Sequence, residues 1–93
     1  MIYAVIISRT AEKQLRKVPL HIAEKLRIWV EGVEEEGLEN MRKIPGFHDE
    51  ALKGKRKGQR SIRLSRAYRA VYEISTDDSI EFVSIEEVSR HEY

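Results

Sequence analysis

The stretch Ser61–Tyr72 reads "SIRLSRAYRAVY" and has the pattern of two short strands joined by a turn. Period-two alternation puts Ile62 and Leu64 on one face of the first strand, with Ser61, Arg63 and Ser65 on the other. If a three-residue loop centred on Arg66 joins the strands, Arg63 lies directly opposite Arg69. A two-residue turn would send the two arginines to opposite faces. Like charges facing each other across a sheet cost on the order of several tenths of a kcal/mol, which an anion held between them would offset. The plain alternative is a pair of ordinary solvated arginines.

Working outward, the preceding segment Asp49–Leu64, "DEALKGKRKGQRSIRL", opens with two carboxylates and then turns wholly basic. From Ala51 to Tyr72 there are eight Lys/Arg and no Asp/Glu, whereas Glu73–Tyr93 carries seven acids and one Arg. "EGVEEEGLE" at Glu31–Glu39 is acidic as well. The whole chain carries a formal charge of only +1, so the asymmetry implies a polyanion-facing surface rather than a generally basic protein. A solvated charged face is the bland reading of the same run.

The chain has 93 residues and no cysteine, enough for one domain and one core without disulfide or thiolate chemistry. No apolar run approaches the roughly 20 residues that span a bilayer. "MIYAVIISRT" lacks a basic leader and a small-residue cleavage site, so it reads as a first strand, expected to be mostly buried. The expectation is a soluble, cytoplasmic protein with no membrane partner. Ser8 or Thr10 can cap a short helix over Ala11–Val18, with Ala11, Leu15 and Val18 on one face. Pro19 suits the first turn of a second helix, along which Ile22, Leu26, Trp29 or Val30, and Val33 recur at helical spacing. Gly37 is placed to end that helix through a left-handed turn. A long, weakly periodic connection runs from Leu38 to Gly58, and long loops in compact domains are often functional. Strands follow near Gln59–Leu64, Tyr68–Ile74 and Ile80–Val88, with a turn at Asp77-Asp78-Ser79. The reading is a single α+β domain over residues 1–93, ordered β-α-α-β-β-β, with a helix hairpin packed on a small, mainly antiparallel twisted sheet.

The candidate chemistry is phosphodiester transesterification. That reaction needs a base for the ribose 2′-hydroxyl, cations for the phosphorane charge and an acid for the leaving 5′-oxygen. Glu50 supplies the base; Lys53, Arg63 and Arg69 supply cations; His91, titrating near neutrality, supplies the acid. His48 and Asp49 are further candidates within the loop. Lys55, Arg56, Lys57, Arg60, Arg66 and Arg90 would hold RNA phosphates. Trp29 reads as core rather than a base-stacking platform. "GKRKG" lacks the spacing of a phosphate-cradling loop, and His21, His48 and His91 lack ligand spacing, so neither a metal nor a cofactor is expected.

Together these pieces resemble the RelE/ParE superfamily of bacterial toxins from type II toxin–antitoxin pairs. The resemblance runs through "YAVIISRTAEKQLRKV", the helix hairpin and "YRAVY". "IPGFHDEALKGKRKG" is similar to the HigB branch, while "EALK", "RL" and the terminal His and Tyr are similar to the YoeB branch. The resemblance implies a ribosome-dependent mRNA endonuclease, metal-independent, cutting in the aminoacyl site and neutralised by a cognate antitoxin. It matches Glu50 to the general base of the YoeB branch, where HigB-like chains have a His, Lys53 to a basic residue of both branches, Arg63 and Arg69 to phosphate-stabilising cations, and Tyr93 to a tyrosine near the end of each branch. The general acid stays open among His91, Tyr93, His48 and a charged group that merely stabilises the leaving oxygen, because Glu92 interrupts the expected ending. The same resemblance allows a ParE-like DNA gyrase inhibitor or a silent toxin homologue acting as co-repressor, touching DNA only through the antitoxin complex.

Overall fold

The computed structural model describes residues 1–90. Its hairpin is built from β3 (Arg60–Arg63) and β4 (Tyr68–Asp77), which are antiparallel. The amides of Leu64 and Ser65 both donate to the carbonyl of Tyr68, closing a three-residue loop with Arg66 at its centre. That loop puts Arg63 and Arg69 in direct cross-strand register. β5 (Ile80–Arg90) pairs antiparallel with β4 through a two-residue turn in which Asp78 and Ser79 both take positive φ, the twist that matches flanking strands.

On the other side of β5 lies β1 (Ala4–Ile7), running parallel to it. As an outer strand β1 is not mostly buried, contrary to expectation. Ile6 is 54% exposed, Val5 and Ile7 are half-buried, and the deep position at this end belongs to Ile2. The sheet has five strands rather than four, in the order β1-β5-β4-β3-β2, because Glu50–Ala51 forms a two-residue edge strand, β2, against β3.

The helices cover one face. α1 (Arg9–Leu15) starts earlier than expected: Ser8 caps it, its side-chain oxygen accepting from the Ala11 amide at 3.1 Å. α2 (Leu20–Glu36) follows with Pro19 as its N-cap. Ile22, Leu26, Trp29 and Val33 form its buried stripe, and Trp29 meets the Tyr72 ring at 5.1 Å between centroids. Such stripes supply most of a short helix's stability, at about 1.5–3 kcal/mol per fully buried large side chain. Gly37 ends α2 with φ +90° and ψ 149°, a positive φ but an extended rather than left-handed helical ψ. A side chain there would run into the Met1 sulfur at 2.5 Å. The expected long loop begins with α3 (Leu38–Met41), tied to the chain start where the Leu38 amide donates to the Ile2 carbonyl at 2.8 Å. Short 3-10 turns at Pro45–Phe47 and Gly54–Arg56 divide the rest. Among the described residues no helix is long and apolar enough to cross a membrane.

Candidate functional site

Ile62, Leu64, Ala70, Tyr72, Val83, Ile85 and Val88 face the helices. Strand alternation therefore leaves Gln59, Ser61, Arg63, Arg69, Val71 and Glu73 on the open face. β5 carries a bulge: Val71 pairs with Glu87 but Tyr72 pairs with Ile85, so Glu86 is the extra residue. The bulge keeps both Ile85 and Val88 in the core and turns Glu87 and Ser89 to the open side.

A shallow hollow on this face is lined by His48, Glu50, Ser61, Ile62, Arg63 and Arg69. Glu50 is registered opposite Ser61, and its Oε2 lies 3.8 Å from His48 Nε2. His48 itself sits at φ +48°, reversing the chain as it leaves the 3-10 turn. Arg63 is exposed and forms no ion pair among the described residues, while Arg69 Nε is buried without a hydrogen-bond partner among them. The hollow thus holds a carboxylate, an imidazole and two adjacent guanidinium groups with unused donors. It can bind an anion and exchange a proton beside it.

The basic run does not act as one unit. Lys53, Lys55 and Lys57 are exposed and form no ion pair among the described residues. Arg56 folds back over the open face, donating to Gln59 Oε1 at 3.2 Å and to Glu87 Oε1 at 2.8 Å. Glu87 also accepts from the Ser89 hydroxyl at 2.7 Å. Burial alone would raise the Glu87 pKa, but these two hydrogen bonds and the charges of Arg56 and Arg69 outweigh it and hold the carboxyl below its ordinary value. Arg60 lies on the opposite, helix-covered side. There its Nε donates to Asp49 Oδ1 at 2.7 Å, and Tyr72 Oη donates to Asp49 Oδ2 at 2.5 Å. Burial works against the Arg60 charge, yet Asp49 more than compensates and raises its pKa. Asp49 has a fully buried side chain and points away from the hollow, so the carboxylate facing it is Glu50. Arg66 stands exposed at the hairpin tip, and Arg90 lies over the Tyr68 ring at 5.6 Å. His91 and Tyr93 fall outside the described residues.

Sequence reasoning placed Ser61 on the face of Arg63 but not beside Glu50, and it did not find Glu87 as a member of this face. Ser61 is among the few buried polar residues and stands between Glu50 and Val71 in register. Its place in the alternation was legible; its contact with Glu50 required β2. Among the described residues no group of three or more His, Asp or Glu side chains is placed to hold a metal ion.

The chain matches the family described as "ParE toxin of type II toxin-antitoxin system, parDE" over residues 5–91. It therefore belongs to that toxin family, within the RelE/ParE superfamily. Solved structures agree on the fold. The YoeB/ParE toxin from Agrobacterium tumefaciens superimposes with a TM-score of 0.72 at 15% identity, over 96% of this chain and 99% of that one. The toxin–antitoxin complex RelBE2 from Mycobacterium tuberculosis gives 0.69 at 26% identity, over 98% and 100%. The archaeal RelE–RelB complex from Pyrococcus horikoshii gives 0.68 at 22%, over 97% and 96%. No curated protein sequence matches the chain.

Proposed function

We propose that this toxin is an endoribonuclease that cleaves mRNA in the ribosomal aminoacyl site, in the manner of HigB-like and YoeB-like toxins, and that a cognate antitoxin neutralises it. The observation that carries this reading is the meeting of Glu50, His48, Arg63 and Arg69 around one hollow. Glu50 takes the proton of a ribose 2′-hydroxyl. The 2′-oxygen attacks phosphorus, the bond to the 5′-oxygen breaks, and a 2′,3′-cyclic phosphate forms. Arg63 and Arg69 meet the charge that builds on the phosphorane oxygens, with the exposed Lys53 as a further cation. The leaving oxygen takes its proton from His48, which lies beside Glu50, or from His91 or Tyr93 beyond the described chain. Lys55 and Lys57 grip flanking phosphates. The antitoxin reading rests on the family and on relatives solved with antitoxins, RelBE2 and RelE–RelB among them.

Primer extension on a defined message in a translation extract tests the proposal. Wild type is expected to cut, and Glu50→Ala and Arg69→Ala to lose at least tenfold in rate. Undiminished cutting by both variants removes the site assignment, and no cutting by wild type removes the activity. The family's ParE name supports a second reading that the sequence resemblance allows, a ParE-like toxin that inhibits DNA gyrase. Only that reading expects purified gyrase to lose supercoiling activity when the toxin is added. The acid–base residues in the hollow favour the nuclease.

A further inference from the structure

His48, Asp49 and Glu50 alternate across the sheet edge: His48 and Glu50 line the open hollow, while Asp49 points to the helix side. β2 is only two residues long, and beyond it the Leu52 amide donates to the Gln59 carbonyl at 2.9 Å. So short an edge strand has too few backbone bonds to fix its own register. Because side chains alternate with period two, a slip of one residue would exchange every side chain between faces. Asp49 would enter the hollow and Glu50 would leave it.

We propose that Asp49 is a positioning residue that locks this register, so that Glu50 and His48 and not Asp49 stand at the cationic hollow. Its carboxylate side chain is 0% exposed and is held at both oxygens, by Arg60 from β3 and Tyr72 from β4. Arg60 and Tyr72 are themselves direct cross-strand partners. The grip therefore comes from two central strands at one level of the sheet, and Tyr72 is fixed in turn by its ring contact with Trp29. A slipped strand would leave Arg60 and Tyr72 facing a wrong residue and take the Asp49 charge away from its only two ligands among the described residues. The catalytic part of this inference rests on the nuclease reading; the register part does not.

Two variants test it in the intact protein. Tyr72→Phe keeps the ring packing and removes one donor; Asp49→Asn keeps the shape and removes the charge. Hydrogen exchange at the Leu52 amide is expected to speed at least tenfold in both, with β4 and β5 amides within about twofold of wild type. On programmed ribosomes kcat is expected to fall at least tenfold with KM within about threefold, since RNA-gripping cations stay in place. Leu52 exchange within twofold of wild type in both variants overturns the register lock. Faster exchange with unchanged kcat overturns its catalytic consequence. If wild type cuts no RNA, the nuclease reading has failed and that consequence falls with it, while Leu52 exchange still decides the lock. Should Asp49→Asn not fold, Tyr72→Phe alone carries the same measurements.

Discussion

Arg63 on β3 and Arg69 on β4 face each other directly across the bare side of the sheet, and Arg69 Nε has no hydrogen-bond partner among the described residues. A fold gains nothing from this arrangement by itself, since like charges in register repel. Replacing one of them should therefore separate stability from function. Arg63→Gln is expected to leave unfolding free energy unchanged or raised by a few tenths of a kcal/mol, read by urea denaturation. The same variant should lose at least tenfold in RNA cleavage. A clear loss of stability instead would show that the pair is structural.

Glu87 gives a pH signature. Its carboxyl is held below its ordinary value because Arg56, Ser89 and the Arg69 charge outweigh the effect of burial. A depressed carboxyl pKa contributes stability that is whole above the unfolded value, near 4.5, and is lost as pH falls through the folded value. Glu87→Gln should therefore be less stable than wild type at pH 7, with the gap closing as pH drops below about 4.5. Denaturation curves at pH 7 and at successive acid steps measure this. A gap independent of pH would assign the effect to packing rather than charge.

Much of the molecule was legible because hydrophobic spacing reports directly on burial. The stripe Ile22, Leu26, Trp29, Val33 and the alternation of Ile62 with Leu64 both mark the core as found. The hairpin register was legible up to one choice, the loop length, which the Tyr68 carbonyl settles by accepting two amides. The long connection was not, since Glu50–Ala51 is too short a strand to leave a period. The basic run misled because charge does not say which face it belongs to. Arg60 and Arg63 are three apart, so they point to opposite sides of one strand. Glu87 was hidden by the bulge: alternation from Val83 and Ile85 assigns it to the core, and one extra residue reverses that. The burial of β1 was overestimated because "YAVIIS" shows apolar content, not whether a second layer covers it.

Tyr72 should be visible in a spectrophotometric titration. Burial first, then its hydrogen bond to Asp49 and that carboxylate's charge, push the phenol up to about 12, with Arg42 pulling the other way. A raised pKa contributes stability that is whole below the unfolded value of 10.0 and is lost as pH rises through the folded one. Of the four tyrosines, one is expected to ionise only near pH 12 or on alkaline unfolding, and Tyr72→Phe should remove that component. Its persistence in the variant would assign it to another tyrosine.

The split within Lys53–Arg60 makes the sharpest contrast between neighbouring cations. Arg60 partners a carboxylate that is fully buried, so Arg60→Ala strands a charge away from water. Removing one partner of a buried pair costs about 3–5 kcal/mol, and the low end, about 3 kcal/mol, is expected here because Tyr72 still donates to Asp49. Lys55 and Lys57 are exposed, and their replacement by Ala should stay within about 0.5 kcal/mol of wild type. RNA binding should sort the other way. Each lysine that grips a phosphate contributes about 0.7 to the slope of log K against log salt for single strands, so the double Lys55→Ala, Lys57→Ala variant should flatten that slope by about 1.4. A charge-removing pair chosen to avoid stranding the buried carboxylate, Arg60→Gln with Asp49→Asn, should leave the slope near the wild-type value, since the Arg60 charge is spent on Asp49. Binding curves from low to moderate salt on one RNA decide it: a flattening of about 0.7 in the Arg60→Gln, Asp49→Asn pair would mean that the helix side of the sheet also meets the nucleic acid.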